Sequence, residues 1–329
     1  MKKLGKLLLC FGLVGSLVGC GNGNGEKNSN EKKTVAIIQL VEHTSLNTIK
    51  SAFDKQMEEL GYKDGDNVEY IFKNAQGDTN TAASIIQDFK SKSPDVVMAI
   101  ATPVAQAAAI LSKDTPIIFA AVSDPIGAKL TSSLEKPDKN ITGTSDEIQV
   151  ELILQRALEI NPNLKKLGVL YNKGEANSVT NINKAKAFAK EKGIEIVEAT
   201  VTSVNEVQTA VSVLNSKCDA VFVPNDNTVA SAMNVVGTAC AKAKVPLYVG
   251  ADSMVQDGGF LSVGINYENL GKETANMVDK VLKDEKVENI PVKVFKDNLN
   301  IYVNEDVLNK LGITLPQEIK NDKALLMIK

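Results

Sequence analysis

Side chains that bind without reacting are concentrated just after short apolar runs of this chain. They are Gln39, His43, Thr44 and Ser45; Thr102; Ser123 and Asp124; Thr144 and Ser145; Tyr171 and Asn172; Asn225, Asp226 and Asn227; Asp252; and Asn266 with Tyr267. Hydroxyls, amides and carboxylates donate and accept hydrogen bonds, so their convergence suits capture of a small polar solute. Each could equally cap a helix, because a side-chain oxygen ahead of a helical stretch satisfies its first free N–H groups. An anionic ligand group would find such N–H groups beside Ser45 and Thr102. The single arginine, Arg156, falls inside a helical stretch, so the loops offer no guanidinium clamp. A ligand ammonium would need a carboxylate, which Asp124, Asp226 and Asp252 could supply. Asp226 is the first choice because Asn225 and Asn227 flank it.

Reactive chemistry is sparse. One histidine, His43, cannot build a histidine metal cage or an acid–base cluster, although its place after the first apolar run could put it in a cleft. No nucleophile elbow, Walker-type phosphate loop or dinucleotide glycine fingerprint follows the first strand. The sequence therefore predicts no enzyme activity, no cofactor and no metal. Lys+Arg number 37 against 40 Asp+Glu, a net charge of −3, so there is no basic excess for nucleic acid. Tryptophan is absent, which deprives a sugar site of its best stacking surface.

The elements that must position these residues alternate between short apolar runs and amphipathic stretches. Residues 34–40 precede 45–60, residues 68–72 precede 79–90, and residues 96–100 precede 104–111. Such alternation predicts an α/β fold with parallel sheets covered by helices. An internal echo then appears about 124 to 133 residues later. Lys33-Thr34-Val35-Ala36 answers Lys166-Leu167-Gly168-Val169, Asp95-Val96 answers Asp219-Ala220, Pro116-Ile117 answers Pro246-Leu247, and Gly61 answers Gly193. The reading is two similar doubly wound parallel-sheet lobes, residues 32–144 and 145–266. Residues 267–329 are too few for a third domain, and are expected to cross back and complete both lobes around a hinge, with a cleft at the strands' carboxyl ends.

Ahead of the first lobe, Lys2, Lys3 and Lys6 precede a short apolar run, as in an export signal. Leu17-Val18-Gly19-Cys20 matches a lipobox, making residues 1–19 a lipoprotein signal peptide and Cys20 the lipidation site. Residues 20–31, rich in Gly and Asn, read as a flexible tether. The expected location is extracytoplasmic, on the outer face of the cell membrane through a lipid on Cys20. Cys218 and Cys240 remain, and are expected as buried free thiols in preference to a disulfide.

The chain resembles the substrate-binding lipoproteins of bacterial ABC transporters with tryptophan-, phenylalanine- and tyrosine-binding members. The resemblance is carried by Gln39 with His43, Ala101-Thr102-Pro103-Val104-Ala105, Ala121-Val122-Ser123-Asp124-Pro125, Gly143-Thr144-Ser145-Asp146, Leu170-Tyr171-Asn172, Pro224-Asn225-Asp226-Asn227 and Gly250-Ala251-Asp252. It implies a type I periplasmic-binding-protein fold, an aromatic amino acid as ligand, a cognate ABC permease as partner and a monomeric receptor. A branched-chain amino acid, a sugar or a small peptide is the alternative ligand. A surface adhesin is the alternative role.

Overall fold

The computed structural model describes residues 32–296 and 299–329. The export signal, the lipobox with Cys20 and the tether lie outside the described residues.

In the first lobe, β1 (Lys33–Gln39), α1 (Thr44–Glu59), β2 (Val68–Asn74), α2 (Thr79–Lys92), β3 (Val96–Ile100), α3 (Thr102–Ala108), β4 (Ile117–Ala120) and β5 (Ile141–Ser145) follow one another. The second lobe runs through α4 (Val150–Ile160), β6 (Lys166–Asn172), α5 (Ala176–Lys192), β7 (Glu195–Val201), α6 (Val204–Asn215), β8 (Ala220–Val223) and α7 (Asn227–Ala230). It continues with α8 (Met233–Ala243), β9 (Leu247–Val249), α9 (Asp252–Gln256) and β10 (Leu261–Gly264). The remainder forms α10 (Tyr267–Leu282), β11 (Lys293–Val294), β12 (Asn300–Asn304), α11 (Glu305–Leu311), α12 (Gln317–Lys320) and β13 (Leu325–Ile328).

Two sheets result, ordered β11-β5-β4-β3-β1-β2 and β13-β12-β10-β9-β8-β6-β7. Central strands such as β1, β3, β4 and β8 are apolar along their length because helices cover both faces. Val35 to Ile38 and Val96 to Ile100 are fully buried. The shared order 2-1-3-4-5 leaves a switch point beside β1 and another beside β6, where loops leave the sheet in opposite directions and open a crevice.

The lobes share more than topology. Asp95, just before β3, accepts from the Thr34 main-chain N–H at 2.8 Å, and Asp219, just before β8, accepts from those of Lys165 and Lys166 at 2.9 and 2.8 Å. Each carboxylate thus satisfies amides at the start of the neighbouring strand. Pro116 and Pro246 both accept from the opposite strand, through Val97 and Val221, at 2.9 Å.

The chain passes between lobes after β5, after β10 and between β11 and β12. The sheets are parallel as expected except at the last passage, where β12 pairs antiparallel with β10, Gly264 facing Asn300 and Leu261 facing Val303. The reason is direction. β11 runs parallel to β5 toward the interlobe end, so a strand entering the second sheet there must run opposite to β10. α10 returns to the first lobe and buries Leu270, Thr274, Met277, Val278 and Val281 at helical spacing. Its approach to α1 needs Gly271, where a Cβ would sit 2.4 Å from the Ile49 carbonyl oxygen. Tyr62 closes the far end by donating to Asp279 at 2.9 Å. Cys218 and Cys240 are buried free thiols.

Candidate functional site

Loops at the carboxyl ends of strands from both lobes enclose a narrow cavity of ≈ 20 Å³, closed down to about the room of one water. Its polar wall is His43, Ser45, Asp146, Asn177, Asn225 and Asn227. Leu46, Ala121, Ala230, Met254 and Tyr267 supply the apolar surface. Ala121 and Ala101 end β4 and β3 with φ of 55° and 90°, values rare outside glycine that turn the loops sharply at the crevice.

Asp146 sits where the chain leaves the first lobe. Ser123 Oγ donates to its Oδ1 at 2.9 Å, while Asn225 Nδ2 and Tyr267 OH donate to its Oδ2 at 2.6 and 2.8 Å. The residue is 3% exposed, and burial raises its pKa against the opposing effect of these three hydrogen bonds. Among the described residues no lysine or arginine forms an ion pair with it. Burial and the neighbouring Asp146 charge also push the Tyr267 hydroxyl well above its usual range, so it remains a donor. The result is a carboxylate surrounded by neutral donors and lacking a cation.

A second network backs the cavity from the other lobe. Glu175, placed at the cap position of α5, accepts through Oε1 from the Thr228 main-chain N–H and hydroxyl at 3.0 and 2.9 Å. Its Oε2 accepts from Asn227 N at 3.1 Å, from the Asn227 amide, and from Asn177 Nδ2 at 3.3 Å. One carboxylate therefore holds both the start of α7 and the two amides facing the cavity. Asn225 approaches closely because Gly250 has no Cβ, which would lie 2.6 Å from the Asn225 nitrogen.

Three pairs of side chains join the lobes directly. Ser45 Oγ and Ser253 Oγ lie 2.5 Å apart, His43 Nε2 and Asn227 Oδ1 3.2 Å apart, and Asn225 Nδ2 donates to Ser123 Oγ at 2.7 Å as well as to Asp146. The cleft is closed.

Of the residues the sequence singles out, His43, Ser45, Asn225, Asn227 and Tyr267 line the cavity, and Ser123 stands behind Asp146. Asp226 does not line it. Its Oδ1 caps α7 by accepting from Val229 N at 2.8 Å, and its Oδ2 accepts from Asn172 N and Ser178 Oγ at 2.7 and 2.6 Å. At 0% exposure it has no face for a ligand, and burial together with the nearby Glu175 charge holds its pKa well above the usual carboxylate range. Asp124 serves a turn, accepting from Gly127 N at 2.8 Å. Tyr171 donates to Glu198 on β7, Asn172 Nδ2 donates to Thr228, and Thr144 meets Thr274 of α10 at 2.8 Å. Gln39 donates to Val41 O and Asn47, and Ser145 donates to the Ser123 carbonyl at 3.3 Å. Thr102 is buried at the start of α3, and Asp252 opens α9, where burial raises its carboxyl to about 6. Asn177, which lines the cavity, and Glu175 behind it are passed over in the sequence reading, which names Asp146 only within the Gly143-Thr144-Ser145-Asp146 run and not as a partner for an ammonium. Asp146 carries the one available signal, as the last residue of a polar run ending a strand.

A two-lobed α/β scaffold closed over a polar cavity at its strand ends defines a solute-binding protein. The sequence agrees, since residues 34–324 match the family described as ABC transporter substrate binding protein, and the chain belongs to it. It is 39% identical to a tyrosine-binding protein of Clostridioides difficile, over 95% of this chain and 93% of that one. Among solved structures it is similar to an ABC domain of Streptococcus pneumoniae in complex with L-Trp, with a TM-score of 0.85, 36% identity, and coverage of 91% and 100%. It is also similar to the ligand-free, open form of a substrate-binding protein with adhesive properties from Clostridium difficile, with a TM-score of 0.67, 40% identity, and coverage of 90% and 99%. The better overlay falls on the ligand-bound relative although identity is higher with the open one, in keeping with the closed cleft.

Proposed function

We propose that this protein is the non-catalytic receptor of an ABC importer, closing on an aromatic amino acid and passing it to a cognate permease. The observation that carries the ligand class is Asp146, a buried carboxylate on the cavity wall with three neutral donors and no cation. An α-ammonium would supply the missing charge, and ion pairing there would offset the desolvation that raises the acid. The α-carboxylate would go to the start of α1, whose cap residue His43 makes no side-chain capping bond and whose first turn holds no acidic residue. Leu46, Ala230 and Met254 would take the ring. The tyrosine-binding relative and the relative with bound L-Trp support the same class. The receptor would be a monomer outside the cytoplasm, held to the membrane by a lipid on Cys20 after loss of residues 1–19.

Thermal unfolding against all twenty amino acids, after unfolding and refolding to strip carried ligand, tests this reading. At 100 times the dissociation constant a ligand adds about 2.7 kcal/mol of stability. A rise confined to aromatic amino acids is expected, and a flat panel would return the ligand to sugars or peptides. The relative with adhesive properties favours a second role at the cell surface. Failure of the purified protein to bind intact cells or matrix would remove that role.

A further inference from the structure

Two buried hydrogen-bond acceptors, on residues that line the cavity, have no partner among the described residues: Asn177 Oδ1 and His43 Nδ1. Amide and imidazole orientations are often ambiguous, but here the surrounding bonds decide them. Asn177 Nδ2 donates to Glu175 Oε2 at 3.3 Å and to the Asn225 carbonyl oxygen at 3.0 Å, and both atoms can only accept. Oδ1 is therefore the atom left over, on a residue 4% exposed. For His43 the sequence of constraints is longer. Asn227 donates its amide to Glu175, which turns Asn227 Oδ1 toward His43 Nε2 at 3.2 Å. An amide oxygen only accepts, so Nε2 carries the proton. Burial keeps the ring neutral by lowering its pKa to about 4, against the smaller opposing effect of the Asn227 bond. Nδ1 is then a bare lone pair. Glu175 thus presets both acceptors from behind.

A buried acceptor without a donor carries its full desolvation penalty, which a ligand can recover only by bringing a donor. An α-carboxylate cannot, and the α-ammonium is drawn to Asp146, the only carboxylate among the described residues that line the cavity. Beyond the N–H groups of that ammonium, the donor that an aromatic amino acid can bring is on its ring. Resting on the aromatic-receptor reading above, we infer that His43 Nδ1 and Asn177 Oδ1 are specificity-determining acceptors for a ring donor, a phenol O–H or an indole N–H. The site then selects tyrosine or tryptophan against phenylalanine, because a ring O–H or N–H satisfies one of the two acceptors and phenylalanine satisfies neither. Sites built to hydrogen-bond a substrate group reject the analogue lacking it by up to ~10⁴–10⁵-fold.

Calorimetric titration of the stripped protein with L-tyrosine, L-tryptophan, L-phenylalanine and O-methyl-L-tyrosine tests the inference without any variant. Tyrosine or tryptophan is expected to bind at least ~100-fold tighter than phenylalanine. O-methyl-L-tyrosine, which keeps the ring oxygen and loses its proton, should fall with phenylalanine. In His43→Leu and Asn177→Ala the preference over phenylalanine should shrink below about tenfold. Phenylalanine binding as tightly as tyrosine to the wild type, or O-methyl-L-tyrosine matching tyrosine, overturns the inference. Either result leaves the aromatic site standing and reassigns the two acceptors to the ammonium. Binding of none of the four overturns the aromatic-receptor reading and this inference together.

Discussion

The two lobes are built alike and equipped differently. Asp95 and Asp219 do the same work at the starts of β1 and β6, and the sheets share their central order. At the opposite strand ends the likeness stops. The second lobe offers a network of Glu175, Asp226, Asn172 and Ser178 in which each carboxylate takes several bonds. The first lobe offers Gln39 Oε1, His43 Nδ1 and Thr102 Oγ1 without partners among the described residues, as the second leaves Asn177 Oδ1 and Asn181 Oδ1, but it also holds Ala101 and Ala121 at positive φ. Scaffold chemistry has kept its repeat because any parallel strand needs its first amides satisfied. Site chemistry has not, because a ligand has two different ends. Asp146, on the passage between lobes, belongs to neither half of the repeat.

Replacing Asp146 is the severest test of that division. Asp146→Asn should weaken binding of the cognate amino acid by about 2–5 kcal/mol in calorimetry, since it removes the charge opposite a desolvated ammonium. Asp226→Asn should leave affinity within about tenfold while lowering stability, as expected of a capping residue. A large affinity loss from Asp226→Asn with none from Asp146→Asn would exchange their roles.

Removing partners should hurt the second lobe more than the first. Glu175→Gln is expected to cost about 1–3 kcal/mol in urea unfolding, because main-chain and amide donors lose a charged acceptor. Thr102→Val should change stability by less than about 0.5 kcal/mol, because its buried hydroxyl has no partner to lose. Equal losses would mean that the first lobe's loops are as tightly bound as the second's.

Acid should pull the halves in opposite directions. Asp252 is raised to about 6, so its contribution to folding is greatest below the ordinary carboxylate range and lost as pH rises through 6. His43 is lowered to about 4, so its contribution is present above its unfolded value near 6.5 and lost as pH falls toward 4. His43→Gln should therefore hold its melting temperature better than wild type between pH 6.5 and 4. A parallel fall in both proteins would deny His43 any part in acid sensitivity.

The smallest effect concerns the repeat itself. Asp95→Ala and Asp219→Ala should each cost about 1 kcal/mol, and the double variant their sum, because the sites lie in separate sheets. A clear inequality would show that one lobe leans on this bond more than the other.

The repeat, the alternation of strands and helices and the crevice at the strand ends were legible because they rest on local periodicity and on residues near in sequence. That His43, Ser45, Asn225, Asn227 and Tyr267 stand at the cavity was legible for the same reason: each follows a strand. Asp226 was read for its neighbours Asn225 and Asn227, but only the fold shows that it turns inward to Asn172 and Ser178. Glu175 carried no local signal, since the α7 donors it holds lie more than 50 residues on. The antiparallel β12 likewise depended on where the chain re-enters the second sheet.

By itself, then, the sequence determined which residues could bind and which ends of which strands they occupy, because hydrophobic pattern and turn chemistry act over a few residues. Only the tertiary structure decided which carboxylate faces the cavity and which is spent on a helix start. That choice depends on whether a buried oxygen meets an N–H of its own lobe or open space between two lobes, and no stretch of chain contains both.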